Sequence, residues 1–140
     1  MADISVTAAN VQIVSGLSVA HVTAGIDITA GEPVYEASGK YWPAQADDAD
    51  TSDATAIALN SAGADQPLAI TQRRLNEDGV IDIGGTVAVG TVYVVSAAAA
   101  GGIAPWADLA ATNRVTVIGV GVTTARIKLS FNAAGVAIPT

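Results

Sequence analysis

Residues 28–44, ITAGEPVYEASGKYWPA, read as a β-hairpin carrying its own punctuation. Ala30-Gly31 forms a turn, and Pro33 is confined to the start or the edge of a strand because it has no N–H to donate. Val34 and Tyr35 continue that strand. Ser38-Gly39 supplies a two-residue hairpin turn, where glycine accepts the positive φ that the turn requires. Lys40, Tyr41 and Trp42 form the return strand, and Pro43 ends it. Three of the chain's six aromatic residues lie in this stretch, which makes it an anchor for the core.

A related phrase occurs about sixty residues on, in residues 89–107, VGTVYVVSAAAAGGIAPWA. Val34-Tyr35 matches Val92-Tyr93, Gly39 matches Gly101-Gly102, and Trp42-Pro43 corresponds to Pro105-Trp106 in swapped order. The sequel matches too: Ile57-Ala58-Leu59 leads to Pro67-Leu68-Ala69-Ile70, and Ile118-Gly119-Val120 leads to Arg126-Ile127-Lys128-Leu129. The expectation is an internal pseudo-repeat, each copy a hairpin, a connection and a second strand pair.

Elsewhere, strands are expected over residues 54–60, 67–72, 80–83, 115–122 and 126–131. Residues 126–131 alternate cleanly, with Ile127, Leu129 and Phe131 on one face. In Val115–Val122 the apolar parity switches between Val117 and Ile118, which predicts a bulge or a strand buried on both faces. Trp106–Thr112 is the best helical candidate, at most about two turns. Short strands about ten residues apart indicate an all-β fold, a small barrel or sandwich of antiparallel strands. The expected layout is an N-terminal arm or edge strands over 1–24, a barrel-like core over 25–132 and a tail over 133–140.

Composition narrows the function. The absence of cysteine excludes thiol chemistry and Cys-ligated zinc. No signal peptide or membrane span is legible. A net charge of −7 argues against nucleic acid and anionic membranes, both of which call for basic surfaces. Only 14% of residues are charged, against about 25% in typical soluble domains, so much of this surface is expected to be covered in the working state, by copies of the chain or by a larger assembly.

Catalytic signals are weak. His21 is the sole histidine and no GxSxG or HExxH is present, so no enzyme activity and no cofactor are expected. Asp47, Asp48, Asp50 and Asp53 suggest a calcium loop, but the glycine and glutamate of an EF-hand are missing, and a solvated acidic loop is the reading adopted, with no metal. Gly84-Gly85 with Gly90 lacks the Lys-Ser/Thr of a phosphate loop. Tyr41, Trp42 and Trp106 would form a sugar platform if exposed together. Arg73 and Arg74 could pin an acidic partner by bidentate contacts, against the more ordinary reading of a pair that solvates a loop and meets the neighbouring acids.

The succession ITAGEPVYEASGKYWPAQADDAD, ATAIALNSAGADQPLAITQ, VGTVYVVSAAAAGGIAP and VTVIGVGVTTARIKL resembles the small capsid decoration, or cement, proteins of tailed bacteriophages and the related head-fibre modules. The likeness spans about Gly25 to Leu129 and rests on a pattern of hairpins. The longer N-terminal stretch departs from the family. The resemblance implies a homotrimer on the outer surface of the virion head, made in the host cytoplasm, that bridges major capsid proteins. The expected capsid contacts are Val6, Val11, Ile13 and Val19 of the N-terminal stretch, with Arg73 and Arg74 as a second set. Removing residues up to about Val19 is expected to abolish binding to the capsid lattice while leaving a folded trimer. The alternative is a receptor- or glycan-binding module of a phage fibre, using Tyr41, Trp42 and Trp106.

Overall fold

The computed structural model describes residues 3–47, 51–73, 79–111 and 113–137. The fold is all-β, with antiparallel sheets in a sandwich-like arrangement. Its strands are β1 (Val11–Ser15), β2 (Leu17–Thr23), β3 (Pro33–Ala37), β4 (Lys40–Pro43), β5 (Ala56–Ile57), β6 (Pro67–Arg73), β7 (Val80–Ile83), β8 (Val92–Val95), β9 (Ile103–Pro105), β10 (Arg114–Gly121) and β11 (Arg126–Ala137). The helical elements among the described residues are two 3-10 turns, Ala8–Asn10 and Trp106–Asp108.

The opening hairpin forms as its residues predict. Pro33 starts β3, and Ser38 and Gly39 turn the chain with φ of 55° and 77°. Both central residues therefore lie in the left-handed region, the condition for the hairpin turn that matches strand twist. Tyr35 then pairs with Trp42, and Val34 with Pro43.

The pseudo-repeat is visible in the topology. The strands of the second half, with β1 added at one edge, form one sheet in the order β1-β7-β11-β10-β8-β9. The first half forms β4-β3-β5 and β2-β6, joined where Ala58 bridges Ile70 and Leu59 N–H donates to Ala69 O. Read outward from the hairpin, the first unit runs β4-β3-β5-β6-β2 and the second β9-β8-β10-β11-β7. The spatial order is the same for each set of five consecutive strands. Hydrogen bonds repeat as well. Gly31 N–H donates to Ala58 O and Ala58 N–H to Glu32 O; correspondingly Gly90 donates to Gly121 O and Gly121 to Thr91 O. The register differs by one from the sequence match: Pro33 and Val34 correspond to Val92 and Tyr93, and Pro43 to Pro105.

The open edge of each unit is also closed, in a different way. In the first, Ala24 bridges Tyr41 and Gly25 N–H donates to Tyr41 O at 2.8 Å, so the chain leaving β2 returns to the far edge at β4. In the second, the corresponding carbonyl is Ile103 O, and its donor at 2.9 Å is Ile4 from the N-terminus. Thr7 N–H donates to Gly84 O at 2.7 Å, and β1 adds to β7. Gly84 and Gly85 make this possible. A Cβ on either would run into the carbonyls of Thr7 and Ser5 respectively.

Several expectations change in the structure. The predicted helix from Trp106 is reduced to one 3-10 turn. Asn113 diverts it: its side chain accepts from Ala110 N–H at 2.8 Å while its own N–H donates to Ala110 O, a local turn that competes with helix. The predicted strand over 54–60 shrinks to β5, because the chain changes partners from β3 to β6 at Ala58. The alternation ends at Phe131, yet β11 continues to Ala137, with Ala133 opposite Thr116 and Ala137 opposite Arg114; part of the expected tail is thus in the sheet. The predicted bulge in β10 is present. Register shifts against both β8 and β11 between Val117 and Gly119, leaving Ile118 fully buried.

Two apolar clusters fill the interior. One lies inside the first unit around Ala24, Ile28, Val34, Leu68 and Ile70. The larger joins both units: Leu17, Ala44, Ala46, Ala54 and Ile57 meet Ile81, Ile83, Tyr93, Val95, Ile118 and Ile127. Alternation along β5 divides its side chains between them, with Ala56 in the first and Ile57 in the second. The buried polar groups are matched. Thr71 Oγ1 accepts from Ile57 N–H at 3.0 Å, and Thr116 Oγ1 donates to Ser52 O. Truncating Ile57 would open a cavity where the units meet. We expect Ile57→Ala to cost about 2–5 kcal/mol in urea unfolding, with both units lost in one transition. Ile26→Ala, on the surface, should stay within about 0.5 kcal/mol of the parent.

Candidate functional site

The chemistry-bearing residues are scattered. His21 is exposed on β2, opposite Ala69. Asp47 and Asp53 are exposed, and Asp48 and Asp50 lie outside the described residues. Among the described residues no three His, Cys, Asp or Glu side chains converge as a metal site would need. A depression of about 460 Å³ is lined by Asn10, Gln12, Asp82, Gly84 and Thr86. Asp82 Oδ1 is already engaged there, accepting from Gly84 N–H at 3.1 Å. The Gly84-Gly85 step serves to admit the N-terminal segment, a use that the glycines alone did not disclose.

The proposed contact residues fall into three groups. Val6, Val11 and Ile13 are partly buried and pack against the shared core of their own chain. Val19 is exposed on β2. Arg73 ends β6, while Arg74 lies outside the described residues. The expectation that residues up to about Val19 can be removed from an intact core is therefore corrected. Leu17 is buried, β1 is laddered to β7, and β2 pairs along its whole length with β6.

The three aromatic residues do not share a face. Tyr41 and Trp42 are neighbours on β4, so their side chains point to opposite sides. Tyr41 packs against the core of the first unit. Trp42 lies over Gly25, where a Cβ would strike its ring, and its Nε1–H donates to Ala37 O at 3.0 Å. Trp106 stands on the other sheet, just past β9, and is 62% exposed.

Other apolar side chains face solvent without having been singled out in the sequence. Val89 is 65% exposed in the turn that precedes β8, where Gly90 N–H donates to Gly121 O, and Val122, the residue after Gly121, is exposed as well. Ile26 and Val14 are also exposed. A valine flanked by Ala88 and Gly90 in a turn has no core to enter, and that position was the available signal.

One carboxyl is held in an unusual setting. Glu32 is half-buried in the turn before β3, against Gly101 of the other hairpin, and Oε1 accepts from Thr29 N–H at 2.8 Å. Burial raises its pKa above the usual carboxylate value, and the Thr29 hydrogen bond opposes that shift. Tyr41 is likewise raised, by burial and then by the Glu36 charge, so its hydroxyl stays protonated at neutral pH.

Comparison with protein-family models, with curated proteins and with solved structures gave no match.

The Glu32 setting has a checkable consequence. A folded-state pKa above the unfolded value means that the favourable contribution is complete below the unfolded pKa and is lost as pH rises through the folded one. Glu32→Gln should therefore raise the urea midpoint at pH 7 and lose that advantage below about pH 4. A midpoint lower than the parent's at pH 7 would show that the Thr29 contact outweighs burial.

Proposed function

We propose that this protein is a structural virion component that binds the outside of a tailed-phage head as a homotrimer and bridges major capsid proteins. The observation that carries this reading is the pairing of exposed large apolar side chains, Val89, Trp106 and Val122 among them, with a chain that has only 6 basic and 13 acidic residues in 140. Apolar side chains left in water on so weakly charged a surface favour burial against another protein. The fold supports the reading in a second way. Its chemistry is burial and strand pairing, which is what a bridging protein needs: a ligand that prefers the assembled shell stabilises it by mass action. Closed threefold symmetry multiplies individually weak contacts into avidity.

Sedimentation of the purified protein should give three times the chain mass, and mixing with undecorated heads should bring it down with them. Val89→Asp combined with Val122→Asp should reduce that co-sedimentation by about tenfold or more, as expected for charge placed in an interface core, while leaving the far-ultraviolet circular dichroism unchanged. Undiminished binding would move the contact elsewhere.

The exposed Trp106 favours a second reading, a glycan-binding module of a fibre. Host polysaccharide should then change tryptophan fluorescence, and Trp106→Ala should abolish the change. On the cement reading, the titration of the parent protein with the polysaccharide is itself flat.

A further inference from the structure

The second unit is completed by chain that precedes the first. Where Gly25 closes the first unit, Ile4 closes the second. Residues 3–15 act there as a donated strand. Ile4 N–H meets Ile103 O, Thr7 N–H meets Gly84 O, β1 pairs with β7, and Ser96 Oγ donates to the Asp3 carboxylate at 2.8 Å. Ile4, Val6, Val11 and Ile13 lay their side chains on the shared core. Among the described residues, the hydrogen bonds that tie this segment to the rest of the chain go to the second unit. It also meets the first unit, by the packing of Val6 and Val11 on Gly31 and through the shared core.

The join between this strand and the first unit is one residue. Gly16, at φ 70°, separates β1 in one sheet from β2 in the other. A groove that receives a strand from elsewhere in sequence, through a hinge this short, can receive the same strand from another copy with each strand–groove contact kept. Straightening the hinge also releases it from its left-handed conformation, and short constrained hinges favour exchange over closure within one chain.

We propose that residues 3–15 are an exchanged strand, which in the homo-oligomer closes the second unit of a neighbouring copy. Each copy gives one strand and takes one, and a head-to-tail exchange of this kind closes into a ring. This inference rests on the homo-oligomer reading given above. The occupant of the groove is a second copy of this chain, and the interaction is strand addition between Gly84-Gly85 and Ile103 with alternating apolar side chains directed inward.

The chain has no cysteine, so Asp3→Cys combined with Ser96→Cys introduces a single reporter pair. After oxidation, a non-reducing denaturing gel should show covalent trimers. A disulfide confined to single chains, in protein that still sediments as a trimer, overturns the exchange and leaves the oligomer standing. The same internal link in protein that sediments as a monomer overturns both. A second measurement does not depend on disulfide geometry. Isotope-labelled and unlabelled chains are refolded together, each with a photo-crosslinker at the exposed Ser5, which lies against Gly85. Crosslinked peptides of mixed isotope content are expected in about half of the products, as random pairing of equal pools requires. Products of one isotope only overturn the proposal.

Discussion

A strand at the edge of a sheet leaves alternate amides and carbonyls without partners, and such an edge recruits other chains unless it is covered. That constraint governs this structure. Each five-strand unit ends on a hairpin strand, β4 or β9, whose outer carbonyls need donors. Tyr41 O finds one in Gly25 and Ile103 O finds one in Ile4. The requirement is the same in both units and the solutions differ, because the chain leaving β2 can swing back whereas the chain leaving β7 is two glycines pressed against the N-terminal backbone. Closure of the second unit thus reaches across 93 residues of sequence, as the Asp3–Ser96 hydrogen bond shows.

The second organising feature is the shared interior. Side chains of β5 and the residue after it face two cores at once, which is possible because Ala56 and Ala58 are small enough for the first while Ile57 fills the second. Ala44, Ala46 and Ala54 let the connection between β4 and β5 approach the second unit closely. There Ala46 N–H donates to Ser96 O, and Arg114 N–H donates to Ala46 O. The alanine richness that inflates the apolar composition is therefore partly structural: it lets two sheets pack with backbone near backbone.

What could be read from the sequence was local. The Ser38-Gly39 turn, the proline at the start of β3, the parity switch in β10 and the alternation of β11 each follow from short-range rules, and each is present. The pseudo-repeat was legible as a pattern but misaligned by one residue, since Val-Tyr recurs as a phrase while the ladder pairs Val34 as it pairs Tyr93. Long-range facts were not legible. Nothing in Gly84-Gly85 says which backbone will lie against it, and nothing in the weakly alternating N-terminus says that Val6, Val11 and Ile13 face inward. Asn113 beat the helix after Trp106 through a side-chain bond that residue spacing does not reveal. The exposed apolar positions at Val89 and Val122 were hidden by the opposite error, since apolar residues in strand-like runs read as core.

The remote closure of the second unit bears on how the chain acquires its shape. The first unit draws on a contiguous stretch from β2 to β6 and can assemble once that stretch has left the ribosome. Residues 3–15 wait for β7 and β9, which are made only after that stretch. Contacts that span so much chain form slowly, because the loop between them must be ordered before they contribute. For the length of that delay the leading segment is an unpaired strand beside a half-built sheet, and the concentration of nascent neighbours decides whose sheet it meets first.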